Sequence, residues 1–286
     1  MSQSLKIDRE IVKKILQNHP RKKDDHKGTH GHGLLITGSR GIMGSAIVSS
    51  RSAMRGGIGK LTTLIPKCGY EILQTAVPEA VCLVDDEEDH ISEIPYLDPY
   101  DSIGMGPGIG CNPQTRDAIV ELLKRNSLPT VLDADALNVL SENKELLNLL
   151  NDKYLLTPHP KEFSRILGTE ILPREQMIEK QIEMSKSFNV TIILKGSQST
   201  ISLPDGRLYE NTTGGPGLAT AGTGDVLTGL LVSLLAQGFT VEESAFFGVY
   251  LHGLAGDICE KEIGVRGMIS TDVINFIPTA YKELEK

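Results

Sequence analysis

One stretch, Val190–Gly196 (VTIILKG), limits the fold more than any other part of this chain. It is a continuous apolar run that ends in lysine and glycine. A run of that kind reads as a strand covered on both faces, as strands are inside a parallel sheet. The same reading applies to LLITG (Leu34–Gly38), LTTLIP (Leu61–Pro66), AVCLV (Ala80–Val84), DSIGMG (Asp101–Gly106), TVLDAD (Thr130–Asp135) and YLLTPH (Tyr154–His159). Helical segments fall between and after them: Gly44–Arg55, Pro113–Arg125, Pro173–Phe188, Asp225–Gln237, Val241–Cys259 and one starting near Ser270. Asp8 is placed to cap a first helix, about residues 8–18, with Ile11, Val12, Ile15 and Leu16 on one face. The segment Ser199–Asn211 differs: two short strands flank Pro204-Asp205-Gly206, a hairpin signal. The alternation predicts an α/β fold of three layers around a mainly parallel sheet. No low-complexity linker or internal repeat interrupts it, so residues 1–286 read as one domain.

Composition narrows the function. A formal charge of -8 argues against broad nucleic-acid binding. A local anion site stays open, because backbone N–H groups bind phosphate without net positive charge. The four cysteines, Cys68, Cys82, Cys111 and Cys259, form no C-x-x-C pair, so neither a zinc site nor a disulfide framework is expected. No signal peptide is visible and the apolar runs are too short to span a membrane, so a cytoplasmic protein with reduced thiols is expected.

In parallel sheets, ligands bind beyond the carboxyl ends of the strands. The unusual sequences fall there: GSRGIMGSA, GPGIG, DAD, TPHP and KGSQS. Two familiar phosphate signatures are absent. GGIGKL (Gly56–Leu61) has no glycine five positions before Gly59, has Leu61 where a P-loop has Ser or Thr, and leads into a strand. GMGPGIG (Gly104–Gly110) fits G-x-G-x-x-G in no register, so no Rossmann fingerprint is present.

The glycine-rich stretch Gly214–Gly229 (GGPGLATAGTGDVLTG) holds six glycines and leads straight into an apolar helix. Gly222 and Gly224 allow backbone to approach a ligand closely. A helix from Val226 offers unpaired N–H groups and a positive dipole end, an anion site. Asp225 at that end reads equally as an N-cap or as a base acting on a hydroxyl that attacks phosphorus. The glycines on both sides of Thr223 favour the base.

NTTGGPGLATAGTGDVLTG (Asn211–Gly229) closely resembles the signature of the ADP/ATP-dependent NAD(P)H-hydrate dehydratases of the ribokinase-like superfamily. Lys27–Ser39, Gly106–Gly110, Val131–Leu140, Leu155–Gly168, Ile193–Ile201 and Gly248–Asp257 resemble the same family in the same order, so the likeness runs from about residue 27 to the end. The resemblance implies a ribokinase-like fold and a repair reaction. The ring hydroxyl of hydrated NADH or NADPH is phosphorylated by ADP or ATP, and phosphate is then eliminated. Asp225 takes the hydroxyl proton, the Thr223–Asp225 amides hold the developing charge, and Mg²⁺ bridges phosphate oxygens. Lys195, Gly196, Ser197, Gln198, Ser199, Thr223 and Gly224 match the stretch that holds the AMP portion of the nucleotide. Ala46, Gly108 and His159, with Asp225, match contacts to the hydrated dinucleotide. Ser45 departs from a frequent Gly-Ala-Ala pattern. The likeness also implies a homo-oligomer, such as a tetramer, and cooperation with an NAD(P)H-hydrate epimerase. It leans towards ADP as donor, because the fused epimerase domain of two-domain relatives is absent.

Plainer readings stand beside these. His159 between two prolines also reads as a turn histidine, and Gly108 as a tight turn. Lys195 also reads as a surface lysine. Asp133 and Asp135 read as a metal or water site at the sheet end or as caps of the helix at Ala136–Leu140, with capping or shaping expected of at least one and a catalytic role of neither. His30 and His32 are expected in a solvated loop, His252 as a core histidine with a hydrogen-bond partner, and Asp257 in packing or capping. A vitamin-precursor kinase of the same superfamily, or a nucleotide-binding regulator without turnover, are the alternative functions.

Overall fold

In the computed structural model, which describes residues 4–286, ten strands hydrogen-bond into one sheet. The first three residues of the expected span lie outside the described residues. In chain order the strands are β1 (Leu5–Ile7), β2 (His32–Ile36), β3 (Lys60–Ile65), β4 (Val81–Val84), β5 (Ser102–Met105), β6 (Thr130–Leu132), β7 (Tyr154–Leu156), β8 (Thr191–Leu194), β9 (Thr200–Ser202) and β10 (Leu208–Asn211). Across the sheet they run β1-β10-β9-β8-β7-β6-β5-β2-β3-β4. All neighbours are parallel except β8–β9 and β9–β10. The single reversed strand, β9, returns the chain at once, so β8 and β10 end at the same edge of the sheet.

The strands are apolar on both faces because both faces are covered. Leu35, Val131, Leu155, Ile193 and Ile201 point into one core. Their sequence neighbours Leu34, Ile36, Leu132, Leu156, Ile192 and Leu194 point into the other. Alternation in two directions gives the unbroken runs seen in the sequence. Helices α1 (Arg9–Asn18), α2 (Met43–Arg55), α3 (Tyr70–Ala76), α8 (Thr223–Ala236), α9 (Val241–Ile263) and α10 (Ser270–Leu284) cover the first face. Helices α4 (Pro113–Arg125), α5 (Ala134–Glu142), α6 (Pro160–Leu167) and α7 (Arg174–Phe188) cover the second. This is the expected three-layer α/β arrangement. No helix among the described residues is long and apolar enough to cross a membrane.

Asp8 caps α1 as expected, accepting from the Ile11 N–H at 3.0 Å. Three elements were not anticipated: β1, α3 and α6. Strand β1 lies parallel to β10 with Leu5 opposite Tyr209. Two histidine expectations need correction. His32 is not in a loop; it opens β2, with Nε2 2.9 Å from Thr62 Oγ1 and its ring edge-on to Tyr100. His30 ends a short 3₁₀ turn with Nε2 3.4 Å from Asp25.

Helix α8 is the centre of the first layer. Every residue from Val226 to Ala236 is buried, which is why the segment is apolar all round. The sheet order changes direction between β2 and β5: β2 leads outward to β3, and β5 leads outward to β6. Such a switch point opens a crevice at the carboxyl edge of the sheet. The first turn of α8 comes to that edge.

Candidate active site

Two glycine-bearing loops diverge at the switch point. They are tied together below the crevice: Gly38 N–H donates to Pro107 O at 3.0 Å, and Ser39 Oγ donates to Gly108 O at 2.8 Å. Gly108 has φ +64, and a Cβ there would stand 2.9 Å from Ser45 Cβ and Ile42 Cγ2. Only glycine lets this loop lie directly on the start of α2.

Helix α8 starts earlier than its sequence suggested. Gly222, in the left-handed region at φ +85, is the N-cap, and Thr223 is the first helical residue. Asp225 therefore sits in the first turn and does not cap the helix. No acceptor for the N–H groups of Thr223, Gly224 and Asp225 is found among the described residues. Three free donors on a buried helix end form an anion site. The Thr223 hydroxyl is spent inside the protein, donating to Leu218 O at 2.8 Å and Thr220 O at 3.0 Å. Its contribution to an anion is its backbone N–H.

The Asp225 carboxyl is raised to about 6. Burial is the main cause. A hydrogen bond from Ser45 and the charge of Lys195 pull it down, while Asp133 and Asp135 push it up. A carboxylate poised near neutrality is matched to proton transfer at physiological pH.

On one side of Asp225 lies a cavity of about 580 Å³. Lys195, Gly196, Ser197, Ser199, Thr223 and Gly224 all line it, so the structure gathers that sequence-derived set into one wall. Gln198 is the exception: it is exposed, and its carbonyl accepts from Arg174 Nη2 at 3.0 Å. His159 lines the same cavity, whereas Ala46 and Gly108 do not. The structure thus groups His159 with the Lys195–Ser199 stretch. Ala46 is fully buried in α2, so its side chain presents no surface to a ligand. Its neighbour Ser45 is the residue of that segment that meets Asp225. The departure from Gly-Ala-Ala noted in the sequence was the signal for it.

His159 does act as a cap, on the unanticipated helix α6. Its Nδ1 accepts from Lys161 N at 3.1 Å and Glu162 N at 3.2 Å, while Glu162 Oε2 accepts from His159 N at 2.8 Å. On the other side of the ring, Nε2 lies 3.4 Å from Glu162 Oε1.

Of the two acids at the start of α5, Asp133 is not the one that caps or shapes the helix through its side chain. It precedes α5 but makes no cap hydrogen bond. Its Oδ1 pairs with Lys195 Nζ at 2.7 Å, and its Oδ2 accepts from Thr228 Oγ1 on α8 at 2.8 Å. Asp135 shapes the neighbouring loop, with Oδ2 accepting from Gly110 N at 2.9 Å. Asp257 holds the glycine-rich loop: both its oxygens lie 3.1 Å from Gly214 N. Glu260, one turn later, accepts from Gly217 N at 2.5 Å. His252 has a backbone hydrogen-bond partner in Thr223, as expected, while its Nε2 is buried without one. Burial lowers this imidazole to about 4 and keeps it neutral.

The sequence profile described as NAD(P)H-hydrate dehydratase matches residues 33–279. The chain belongs to this family. Among curated relatives, the bifunctional NAD(P)H-hydrate repair enzyme Nnr of Moorella thermoacetica is 36% identical over 93% of this chain and 52% of its own length. The ADP-dependent (S)-NAD(P)H-hydrate dehydratase of Neisseria meningitidis is 36% identical over 88% of this chain and 86% of its own. The chain spans about half the length of the bifunctional relatives it matches. Among solved family structures, the ADP/ATP-dependent NAD(P)H-hydrate dehydratase of Bacillus subtilis, co-crystallised with ATP/Mg²⁺, superposes with a TM-score of 0.87 at 28% identity. That superposition covers 99% of this chain and 100% of the other.

Proposed function

We propose that this chain repairs hydrated NADH and NADPH by nucleotide-dependent dehydration. The observation that carries the reading is the placement of Asp225. It stands on the free N-terminal turn of a buried helix, beside the cavity lined by Lys195, Gly196, Ser197 and Ser199, and takes a hydrogen bond from Ser45 of α2. A nucleotide in the cavity brings its terminal phosphate to the Thr223–Asp225 amides. The ring hydroxyl of the hydrate then reaches Asp225 from the crevice.

Chemistry follows in two stages. The Asp225 carboxylate takes the hydroxyl proton as the oxygen attacks the terminal phosphorus, and the bridging P–O bond breaks towards the nucleotide. Charge developing on the transferred oxygens meets the three amides and the Lys195 ammonium. Phosphate, a far better leaving group than hydroxide, then departs with the C–O electron pair. Loss of a proton from the neighbouring ring carbon restores the double bond. With ADP the sum is hydrate plus ADP giving the reduced dinucleotide, AMP and phosphate.

The protein side supports Mg²⁺ only as an ion carried by the nucleotide. No group of three or more potential ligands is gathered among the described residues, and Asp133 and Asp135 are already committed to protein donors. Phosphate oxygens would hold the ion, with its usual waters.

We take ADP as the donor and a homo-oligomer, such as a tetramer, as the working state in a cytoplasmic setting, with an NAD(P)H-hydrate epimerase as functional partner. Exposed apolar side chains on α3 and the edge strand β4, Tyr70, Ile72 and Val81, support assembly. Light scattering measures it. For the activity, hydrated NADH or NADPH is mixed with ADP or ATP and Mg²⁺, and the absorbance of the reduced nicotinamide is followed. Recovery, faster with ADP, is the expected result. No recovery with either nucleotide refutes the reading.

A further inference from the structure

Lys195 pairs with one carboxylate and lies beside the helix turn that carries another. At the end of β8 its Nζ is 2.7 Å from Asp133 Oδ1, at the end of β6. It also lies against the first turn of α8: a Cβ built on Gly224 would be 3.2 Å from Lys195 Nζ and 3.8 Å from Asp133 Oδ2. The next residue is Asp225. An ammonium has three donors, and the bond to Asp133 is the one Lys195 makes among the described residues. Asp133 is itself fixed. Its side chain is 1% exposed, and its second oxygen is held by Thr228 on α8. Three elements that the chain brings together from far apart are thus joined by one carboxylate.

We infer that Asp133 is a positioning residue, which holds the Lys195 ammonium over the first turn of α8 and keeps it from closing an ion pair with Asp225. The free donors of Lys195 then face the phosphoryl group in transfer, and the base keeps its lone pairs for the substrate hydroxyl. This rests on the reading of Asp225 as the base.

The surroundings are consistent with that division of labour. Burial works against the charge on Lys195. It is outweighed by Asp133, Glu162 and Asp225, so the lysine stays protonated. The charged and titratable groups acting on Asp225 are Asp133 and Asp135 from the β6–α5 junction and Lys195 from the end of β8. Ser45 on α2 adds a hydrogen bond. If Lys195 paired with Asp225, the carboxyl would be pulled far below its present position and its basicity lost. Asp133 is therefore a carboxylate that serves catalysis by occupying a cation.

The test measures the first-turnover rate against pH, so that the acid limb reports the chemical step. Asp133→Asn keeps the shape and an acceptor for Thr228 but releases Lys195. The expected result is a plateau rate reduced about 100-fold, with the limb displaced down by about one pH unit. Lys195→Gln removes the cation, and its limb moves the opposite way, upward. Asp133→Glu keeps the charge, and its limb returns to the wild-type position. If Asp133→Asn does not fold, the upward shift in Lys195→Gln and the restored limb in Asp133→Glu remain decisive. Limbs that coincide in all variants, or a Lys195→Gln limb that moves down, overturn the inference. A near-normal rate in Asp225→Asn refutes the base reading itself. An inactive Asp225→Asn with coinciding limbs refutes only the role given to Asp133.

Discussion

Gly229 packs its α-carbon directly on the backbone of Ser49: a methyl group there would stand 2.1 Å from the Ser49 carbonyl oxygen and 2.9 Å from Ser52 Cβ. Helices α8 and α2 touch at this point, and Ser52 Oγ reaches across to Val226 O at 2.5 Å. The two helices also supply Asp225 and Ser45. Gly229→Ala must push them apart. Overpacking of this kind costs about 1–3 kcal/mol, and the gain in helix propensity, at most ~1 kcal/mol, does not offset a clash with backbone. The expected result is a lower melting temperature together with a reduced turnover rate. A variant as stable and as active as the wild type would show that the crossing is looser than described.

Asp225 makes two opposite predictions. The reaction needs its ionised form, so the rate rises with pH through about 6. Stability runs the other way. The folded carboxyl sits above its unfolded value, so the folded state holds the extra proton between about 4 and 6, and stability falls as pH rises through that window. Above it, the buried charge costs roughly 2–4 kcal/mol. Asp225→Asn should therefore be inactive yet gain stability over wild type at pH 8, with most of the gain gone at pH 4. Denaturant titration at the two pH values measures this, and an equal difference at both contradicts it.

His252 provides an independent probe of the same helix bundle. Its folded value of about 4 lies below the unfolded one, so its contribution to stability is complete above about 6.5 and is lost as pH falls below that. Acidification from pH 7 to 5 should remove about 2 kcal/mol through this residue alone. The direct check is NMR: the imidazole signals of His252 should not titrate between pH 5 and 8. A midpoint near 6.5 would mean that water reaches the ring.

Asp257 and Glu260 hold the glycine-rich loop by its N–H groups, at Gly214 and Gly217. Neither carboxylate lines the cavity. Truncating either to Ala should loosen that wall and raise the nucleotide KM about tenfold, with turnover at saturation changed less than about twofold. An unchanged KM in both variants would detach the loop from nucleotide binding.

Much of this could be read from the residues, because it depends on local pattern. Apolar runs such as Thr191–Leu194 announced strands, and Pro204-Asp205-Gly206 announced the hairpin between β9 and β10. What escaped depends on distance. Strand β1 has three residues, one of them buried, and exists through pairing with a strand some 200 residues later. The Asp133–Lys195–Thr228 cluster joins residues that share no sequence signal, so nothing separated the role of Asp133 from that of Asp135. Helix α6 was legible in hindsight. Pro160 in its first turn and Gly168 in the left-handed region at its end mark both boundaries. A histidine in the capping place hid the start. The beginning of α8 was displaced because Gly222, a weak cap without a side chain, took the position offered to Asp225.

The reversed strand β9 also has an evolutionary meaning. It keeps much of the proposed nucleotide-handling wall in one stretch of chain, from β8 to the first turns of α8, with His159 and residues of α9 completing it. The proposed acceptor side is assembled from loops scattered through the first half, around Ser45 and Gly108. A genetic change in those loops can alter which hydroxyl is offered to Asp225 and leave the phosphoryl donor's cassette untouched.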